Sequence, residues 1–404
     1  MSSTTAVPRA ELARVARQFP AGAFRAGGLV AAILGGALLF LLAINGHAER
    51  VWQAYFFNLL FWWGLATGGV IFAATQKLAK GHWAGLVIRL GQASVAFLPL
   101  GVLLFIGTWF GREHLYSWLA EPRPDLGWWL TPTAFYVRNS AILALLTWLA
   151  WRFVHRDMKP DLAEIASGKA ADLDPAEQGQ IASAAAILVV AWAFGMSLVA
   201  FDLVTAQAHK WVSNLYGAFY FMGSFLSALM WLAILSLWMR RRMDLGELYS
   251  TKQQHDLAKL CFGFTVFWAY LMFAQYLVIW YGNLPEETYF IFYRLWAFWR
   301  PVGIAVFLMV FLIPFIGLLG VKPKRAPAWL SLMAVVSLAG IWLERYLEIV
   351  PSINHGAGPA LGLPEAAAAL CLGGVYAAAY GWFAERYPMV SPRLAADTLE
   401  REHH

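Results

Sequence analysis

Two short stretches of the chain place an acid and a histidine at the same spacing. The first reads FDLVTAQAH (201–209) and contains Asp202 and His209, and the second reads LEIVPSINH (347–355) and contains Glu348 and His355. Each acid closes a long apolar run, where an ionisable side chain is costly and usually has a function. The repeated pair therefore predicts a duplicated membrane bundle with one special face, and a chemistry that involves protons.

A further acid lies one helical turn before Glu348. Glu344 and Glu348 are four residues apart, so they share one face of a helix, with Arg345 beside them. Two carboxylates on one face in apolar surroundings would share protons readily. The alternative is a structural pair that Arg345 and a neighbouring helix neutralise, and the sequence leaves both interpretations open.

The position of the acids along their helices adds to this argument. Asp202 and Glu348 lie at predicted helix C-termini, and Pro351 predicts that the second helix ends near Val350. The helix dipole disfavours an acid there by a few tenths to about 1 kcal/mol. A bound proton, an arginine partner or a functional role would offset this cost, and a solvated acid at the rim is the alternative.

The composition indicates an integral membrane protein. Of the 404 residues, 60% are hydrophobic and 13% are charged, whereas globular domains carry about 25% charged residues. The net charge of +6 comes from Lys and Arg at the ends of apolar runs and does not predict nucleic-acid binding. Ten runs are long enough to cross a bilayer as helices, at 27–45, 53–76, 86–110, 134–154, 181–204, 212–238, 257–281, 298–319, 327–349 and 364–384.

The basic residues predict the orientation of these spans. Of the 30 Lys and Arg residues, 22 fall in segments on the side of the N-terminus and eight on the other side, so both termini are predicted to be cytoplasmic. The acids then lie near the outer face. The acidic segment 155–180 is predicted to be a solvated inner loop, and the spans are predicted to be continuous helices.

The repeat divides the chain into five parts. We predict a basic N-terminal segment (1–26), a peripheral helix (27–52), two four-helix bundles (53–211 and 212–355), and a last peripheral helix with a cytoplasmic tail (356–404). Because each predicted bundle contains an even number of helices, both bundles begin on the same side of the membrane. They are therefore predicted to be parallel repeats, as in some transporters. Arg138 and Arg300 begin equivalent helices near the outer face and are the candidate partners of the acids.

No cofactor or metal site is predicted in this chain. No histidine lies in the middle of a span, where a membrane haem needs two, and no C-x-x-C-H or iron–sulfur spacing occurs. Cys261 and Cys371 lie far apart in apolar runs. If the protein takes part in redox chemistry, we expect its electrons to come from a partner.

Four stretches resemble the NrfD/PsrC-like family, the membrane subunits of the polysulfide reductase type. They are AYFFNLLFWWGLATGGVIF (54–72), FDLVTAQAHKWVSNLYGAFYFMGSF (201–225), FWAYLMFAQYLVIWYGNLPEET (267–288) and ERYLEIVPS (344–352). Within that family they look most like the F subunit of alternative complex III, a quinol:cytochrome c oxidoreductase. The third stretch is the most specific, and the resemblance covers roughly residues 50–355.

The resemblance implies an all-α subunit of ten helices and partners that this chain does not contain. These are a sister NrfD-like membrane subunit, an iron–sulfur subunit and cytochrome c subunits that carry haem c. The F-type subunit is taken as a proton-conducting or structural part without its own redox cofactor. The chain departs from the family after Asp202, where VTAQAHKW replaces the usual S-L-D-P-H-W; this puts the role of Asp202 in doubt.

These observations predict a membrane subunit of a bacterial quinol-oxidising complex, surrounded by lipid. Residues predicted for a proton path or for quinol contact are Asp202, His209, Arg138, Arg300, Glu344, Arg345, Glu348 and His355. The alternatives are a subunit that binds quinol itself, a secondary transporter, and an anchor in which the acids only pack.

Overall fold

The computed structural model describes residues 19–119, 124–170, 173–208, 211–243, 245, 249–354 and 358–402. Within these ranges the chain is helical and contains no β-strand, which confirms the predicted all-α class. Eight helical segments are long and apolar enough to cross a membrane, so the chain has the form of a multi-pass membrane protein. The predicted count of ten is not reached.

Two structural features lower the count. The first two predicted spans form one helical segment, Ala21–Leu78, which bends where Gly46 adopts a φ of 87° and Asn45 leaves the helical region. The fourth predicted span belongs to the 36-residue helix Pro132–Ser167. This helix is long enough to cross a membrane but is not apolar enough to count as a candidate span. Arg138 and Asn139 near the start of that helix reduce its apolar character.

The α-helices are connected by short loops and by short 3₁₀ and π segments. In chain order they are α1 (Ala21–Leu42), α2 (Ala48–Leu78), α3 (Ile88–Gln92), α4 (Leu98–Gly107), α5 (Arg112–Leu115), α6 (Pro132–Ser167), α7 (Pro175–Leu203), α8 (Tyr216–Arg242), α9 (Thr251–Gly282), α10 (Pro285–Leu295), α11 (Arg300–Val306), α12 (Ile313–Gly317), α13 (Val321–Arg325), α14 (Pro327–Ile353), α15 (Leu363–Arg386) and α16 (Pro392–Glu402).

Helix α8 lies at the centre of the helical assembly. It packs against α2, α7, α9 and α14, and most of its side chains are buried. Helices α2 and α14 also contact each other. The C-terminal part of α14, which carries the predicted acids, is therefore enclosed by other helices.

Helices α1 and α15, from the two ends of the chain, pack closely along each other. A Cβ atom on Gly374 would lie 2.3 Å from the backbone N of Ala32, and one on Gly35 would lie 2.5 Å from the backbone N of Cys371. Small residues at such contacts let membrane helices approach backbone to backbone.

The prediction of continuous spans is wrong in two places. The third predicted span alternates between α3, a 3₁₀ segment (Ala93–Phe97), α4 and a second 3₁₀ segment (Thr108–Gly111). Pro99 at the start of α4 has no N–H to bond the preceding turn, and the chain tightens there into 3₁₀ geometry. A π segment (Phe307–Leu312) follows α11 within the eighth predicted span.

A buried ionic network joins α2, α3, α6 and α16. Arg89 forms ion pairs with Asp157 and Asp161, Lys77 Nζ lies 2.9 Å from Asp157 Oδ1, and Arg393 reaches both acids at 3.4 and 3.3 Å. Burial disfavours an ionised Asp157, but the three cations hold its pKa below the ordinary value. The prediction that the segment 155–180 is a solvated loop is wrong for these acids, because α6 continues to Ser167 and buries them.

Candidate functional site

The first predicted acid, Asp202, is buried in the last turn of α7. Its Oδ2 accepts hydrogen bonds from Arg138 Nε at 2.7 Å and Asn139 Nδ2 at 3.0 Å, and its Oδ1 accepts one from Trp129 Nε1 at 3.1 Å. The Arg138 guanidinium also lies 3.8 Å from the centre of the Trp129 ring. Both carboxylate oxygens are therefore satisfied, and Arg138 offsets the unfavourable helix dipole.

The second group of acids lies on α14 and has a different arrangement. Trp268 of α9 donates its Nε1–H to Glu344 Oε1 at 2.7 Å. Arg345 forms an ion pair with Glu348 Oε2, and its Nη2 lies 3.9 Å from Glu344 Oε2. The same Nη2 donates to the backbone O of Tyr220 at 3.0 Å. One guanidinium therefore serves two buried carboxylates.

Two carboxylate oxygens in this group have no hydrogen bond. Glu344 is 3% exposed and Glu348 is 5% exposed. Within the part of the chain that the structure describes, Glu344 Oε2 and Glu348 Oε1 accept no hydrogen bond of ordinary geometry, and the buried Tyr216 hydroxyl, which interacts with Glu348, makes none either. A buried oxygen without a donor is costly, so these two atoms are where a proton or a ligand would be stabilised.

Helix α14 extends beyond Val350, where Pro351 was predicted to end it; it ends at Ile353. Pro351 has no N–H to bond the carbonyl of Leu347, four residues earlier. Arg294 of α10 fills this place, since its Nε donates to Leu347 O at 3.0 Å and its Nη2 donates to Glu348 O at 2.8 Å. Burial lowers the pKa of Arg294 to about 10, so it remains charged at neutral pH.

A cavity of about 400 Å³ lies in front of the α14 acids. Glu344 and Glu348 line it, together with apolar and aromatic side chains such as Phe219, Trp268 and Phe290. Apolar walls with a few convergent polar groups are typical of small-molecule sites of roughly 300–1,000 Å³. The cavity is therefore a candidate binding site next to unsatisfied carboxylates.

The other predicted site residues are placed as follows. Arg300 is exposed and lines the cavity, with its guanidinium 5.8 Å from the centre of the Trp296 ring. His209 and His355 lie outside the described residues. The structure thus brings Arg138 to Asp202, and it brings Glu344, Arg345 and Glu348 together in a second group.

Both groups lie at the same end of the molecule. Trp211, just after the Asp202 helix, stacks on Phe290 of α10 with ring centres 3.7 Å apart. The Arg294 guanidinium lies 3.4 Å from the centre of the same Phe290 ring. Aromatic contacts thus connect the segment that follows α7 to the wall of the cavity.

Three important side chains were not among the predicted site residues: Asn139, Trp268 and Arg294. A sequence signal existed for Trp268, which lies in the FWAY stretch that carries the resemblance. No protein-family model and no curated protein matches the chain.

Proposed function

We propose that the chain is an integral membrane subunit of a quinol:cytochrome c oxidoreductase of the alternative complex III type. In this proposal the group Glu344–Arg345–Glu348 takes up or releases protons during quinol oxidation. The observation that carries the proposal is the pair of buried, unsatisfied carboxylate oxygens that face a cavity. Quinol oxidation releases protons with the electrons and needs acceptors of this kind near the reacting oxygens.

The topology is part of the proposal. We propose ten spans in two parallel four-helix bundles with both termini cytoplasmic, in a bacterial plasma membrane, as the distribution of Lys and Arg predicts. The bend at Gly46 would separate the first two spans, and α6 would cross as the fourth, with Arg138 and Asn139 directed at Asp202 rather than at lipid. The acids then lie near the outer face.

The partners are proposed from the resemblance. A sister membrane subunit, an iron–sulfur subunit and cytochrome c subunits would supply the redox centres, and this chain would supply proton transfer and scaffolding. Purification in mild detergent tests this arrangement directly. We expect haem c and iron–sulfur absorption to co-purify with a tagged chain; a chain that purifies alone would contradict it.

The proton role is tested in the intact complex with E344Q and E348Q. We expect quinol oxidation to fall at least about tenfold, because a positioned proton acceptor contributes on the order of 100-fold or more. Proton release per electron, measured with a pH dye in proteoliposomes, should fall as well. The matched control is E365Q. Glu365 is equally buried, but it does not line the cavity, and its Oε2 lies 2.7 Å from Arg50 Nη2.

Unchanged oxidation and unchanged proton release in an assembled E344Q/E348Q complex would contradict the proton role.

A secondary transporter is the second candidate, favoured by the irregular π segment (Phe307–Leu312) whose first residue lines the cavity. Interrupted helices at a cavity are common in transporters. Substrate uptake by the chain alone in liposomes would support that candidate.

A further inference from the structure

A second cavity, of about 740 Å³, lies at one end of three candidate membrane spans. Its lining includes Lys77, Ile88 and Pro175. Lys77 is the last residue but one of the span Ala21–Leu78, and Ile88 and Pro175 begin the two candidate spans that follow. The ends of spans lie at the depth of the lipid headgroups, and a cavity of this size holds a small molecule rather than a single ion.

Lys80 lines this second cavity in a backbone conformation that lysine rarely adopts. Its φ is 52°, in the left-handed region, just after the end of α2. The Lys80 N–H bonds Lys77 O at 3.4 Å and the Gly81 N–H bonds Gln76 O at 2.8 Å, a helix-ending pattern that favours glycine at the position of Lys80. Because glycine would form this turn without strain, the lysine indicates a function of its side chain.

The second cavity carries more positive than negative charge. The buried ionic network at this end joins three cations to two acids, and two of the cations, Lys77 and Arg393, line the cavity. Lys80 adds a charge that forms no ion pair with the described residues. Asp397 is the one carboxylate among the described lining residues, and it pairs with His82. The excess of positive charge favours an anionic ligand.

The cations that line the second cavity have N–H groups left for a ligand. Lys77 Nζ carries three donors and contacts Asp157 Oδ1 at 2.9 Å. Arg393 donates through Nε and Nη2 to the two acids, and its Nη1 makes no hydrogen bond with the described residues. Convergent ammonium and guanidinium donors suit the oxygens of a phosphate group.

The remaining walls favour a lipid headgroup over a nucleotide. The described lining residues include no Phe, Tyr or Trp on which a base could stack. Small and aliphatic residues such as Gly85, Ile88 and Ile181 occupy those places. Basic pockets between membrane helices at headgroup depth are suited to acidic phospholipids.

We propose that the second cavity binds the phosphate of an acidic phospholipid headgroup, with Lys77, Lys80 and Arg393 as the donors. The proposal goes beyond the proposed function, because it requires neither quinol nor a redox partner. One wall of the cavity belongs to α16, through Arg393 and Leu394, so the bound headgroup also connects the C-terminal helix to α2 and α7. A soluble phosphate is the other source of the same chemistry, and the test separates the two.

Native mass spectrometry of the full chain in detergent measures the binding. The chain is titrated separately with phosphatidylglycerol, with phosphatidylcholine of the same acyl chains, and with pyrophosphate. We expect the first phosphatidylglycerol to bind about tenfold more tightly than phosphatidylcholine, the effect of one charge-assisted hydrogen bond. Equal affinity for the two lipids overturns the proposal, and tighter binding of pyrophosphate than of phosphatidylglycerol overturns the lipid as the ligand.

The variant K80G connects the preference to the second cavity. It removes the cation and places glycine where the backbone favours it, so the preference for phosphatidylglycerol should fall below about threefold. The midpoint of thermal unfolding should not fall, because glycine adopts a positive φ without strain. Loss of binding is thereby separated from loss of the fold, and an undiminished preference in K80G overturns the assignment.

Two further variants serve as controls. K80R keeps a cation at the same position and should keep the preference. K322Q removes a lysine that is exposed and does not line the second cavity, and it should leave the preference unchanged. An equal loss in K322Q and K80G would show that acidic lipids bind through general surface charge, which overturns the proposal.

Discussion

At the scale of single residues, Asp202 lies one residue before the end of α7 and Glu348 lies five residues before the end of α14, and their carboxylates meet different partners. Asp202 receives three donors from α6 and the segment before it. Glu348 pairs with an arginine of its own helix and keeps one oxygen free. Of the two acids in the sequence repeat, Asp202 has hydrogen bonds to both carboxylate oxygens, whereas Glu348 has one oxygen without a hydrogen bond and lines a cavity.

Asp202 is expected to matter for stability more than for proton transfer. D202N removes the charge that balances Arg138, and leaving a buried ion without its partner costs roughly 3 kcal/mol. We expect lower stability in detergent unfolding experiments and near-normal proton release per electron in complexes that assemble. E344Q is expected to show the opposite result, a loss of proton release per electron. Loss of proton release in a stable D202N complex would contradict this division of roles.

The sequence could predict contacts within a helix but not most contacts between helices. Glu344, Arg345 and Glu348 were grouped correctly, because spacings of three and four residues place side chains on one helical face. Trp268 and Arg294 come from helices distant in sequence, and only the packing of α9 and α10 on α14 brings them to the acids.

At the scale of helices, the length of the apolar runs predicted where most helices lie, because each backbone in lipid must satisfy itself. The breaks at Ala93–Phe97 and Phe307–Leu312 were missed. Apolar periodicity does not report such local changes of winding, which depend on neighbouring helices and on single residues such as Pro99.

The close contact of α1 and α15 gives a prediction at this scale. G374L would place side-chain atoms where the backbone of Ala32 now lies, 2.3 Å from the new Cβ. We expect the two helices to separate, with a loss of about 2–3 kcal/mol in the free energy of unfolding. G27L is the matched control on α1, since nothing lies within 4 Å of its new Cβ. Equal stability of the two variants would show that this contact does not hold the helices.

At the scale of the whole molecule, the ion pairs lie toward two ends. Arg138 and Asp157 both belong to α6, about five turns or roughly 28 Å apart. One end carries the acids and the cavity, and the other end fastens the C-terminal helix α16 through Arg393.

The second end predicts a pH dependence of stability. The pKa of Asp157 is lower in the folded protein than its unfolded value of about 3.9. Its contribution is therefore fully present above about pH 4 and is lost as the pH falls further, through the folded pKa. Denaturant unfolding in detergent should show stability that falls below pH 4 in the native protein.

D157N should be less stable at pH 7 and should show a flatter dependence below pH 4. E385Q is the control, because Glu385 and Arg25 form a partly exposed pair that contributes little. If the stability of D157N falls as steeply below pH 4 as that of the native protein, carboxylates other than Asp157 are responsible for the acid dependence.

The bond between Arg294 and the carbonyl left free by Pro351 has an evolutionary consequence. The backbone demand at Leu347 exists only while residue 351 lacks an N–H. Any other amino acid at 351 has a backbone N–H that can bond the Leu347 carbonyl, and the arginine at 294 is then no longer needed for that hydrogen bond. We therefore expect the two positions to covary, with proline at 351 occurring together with arginine at 294.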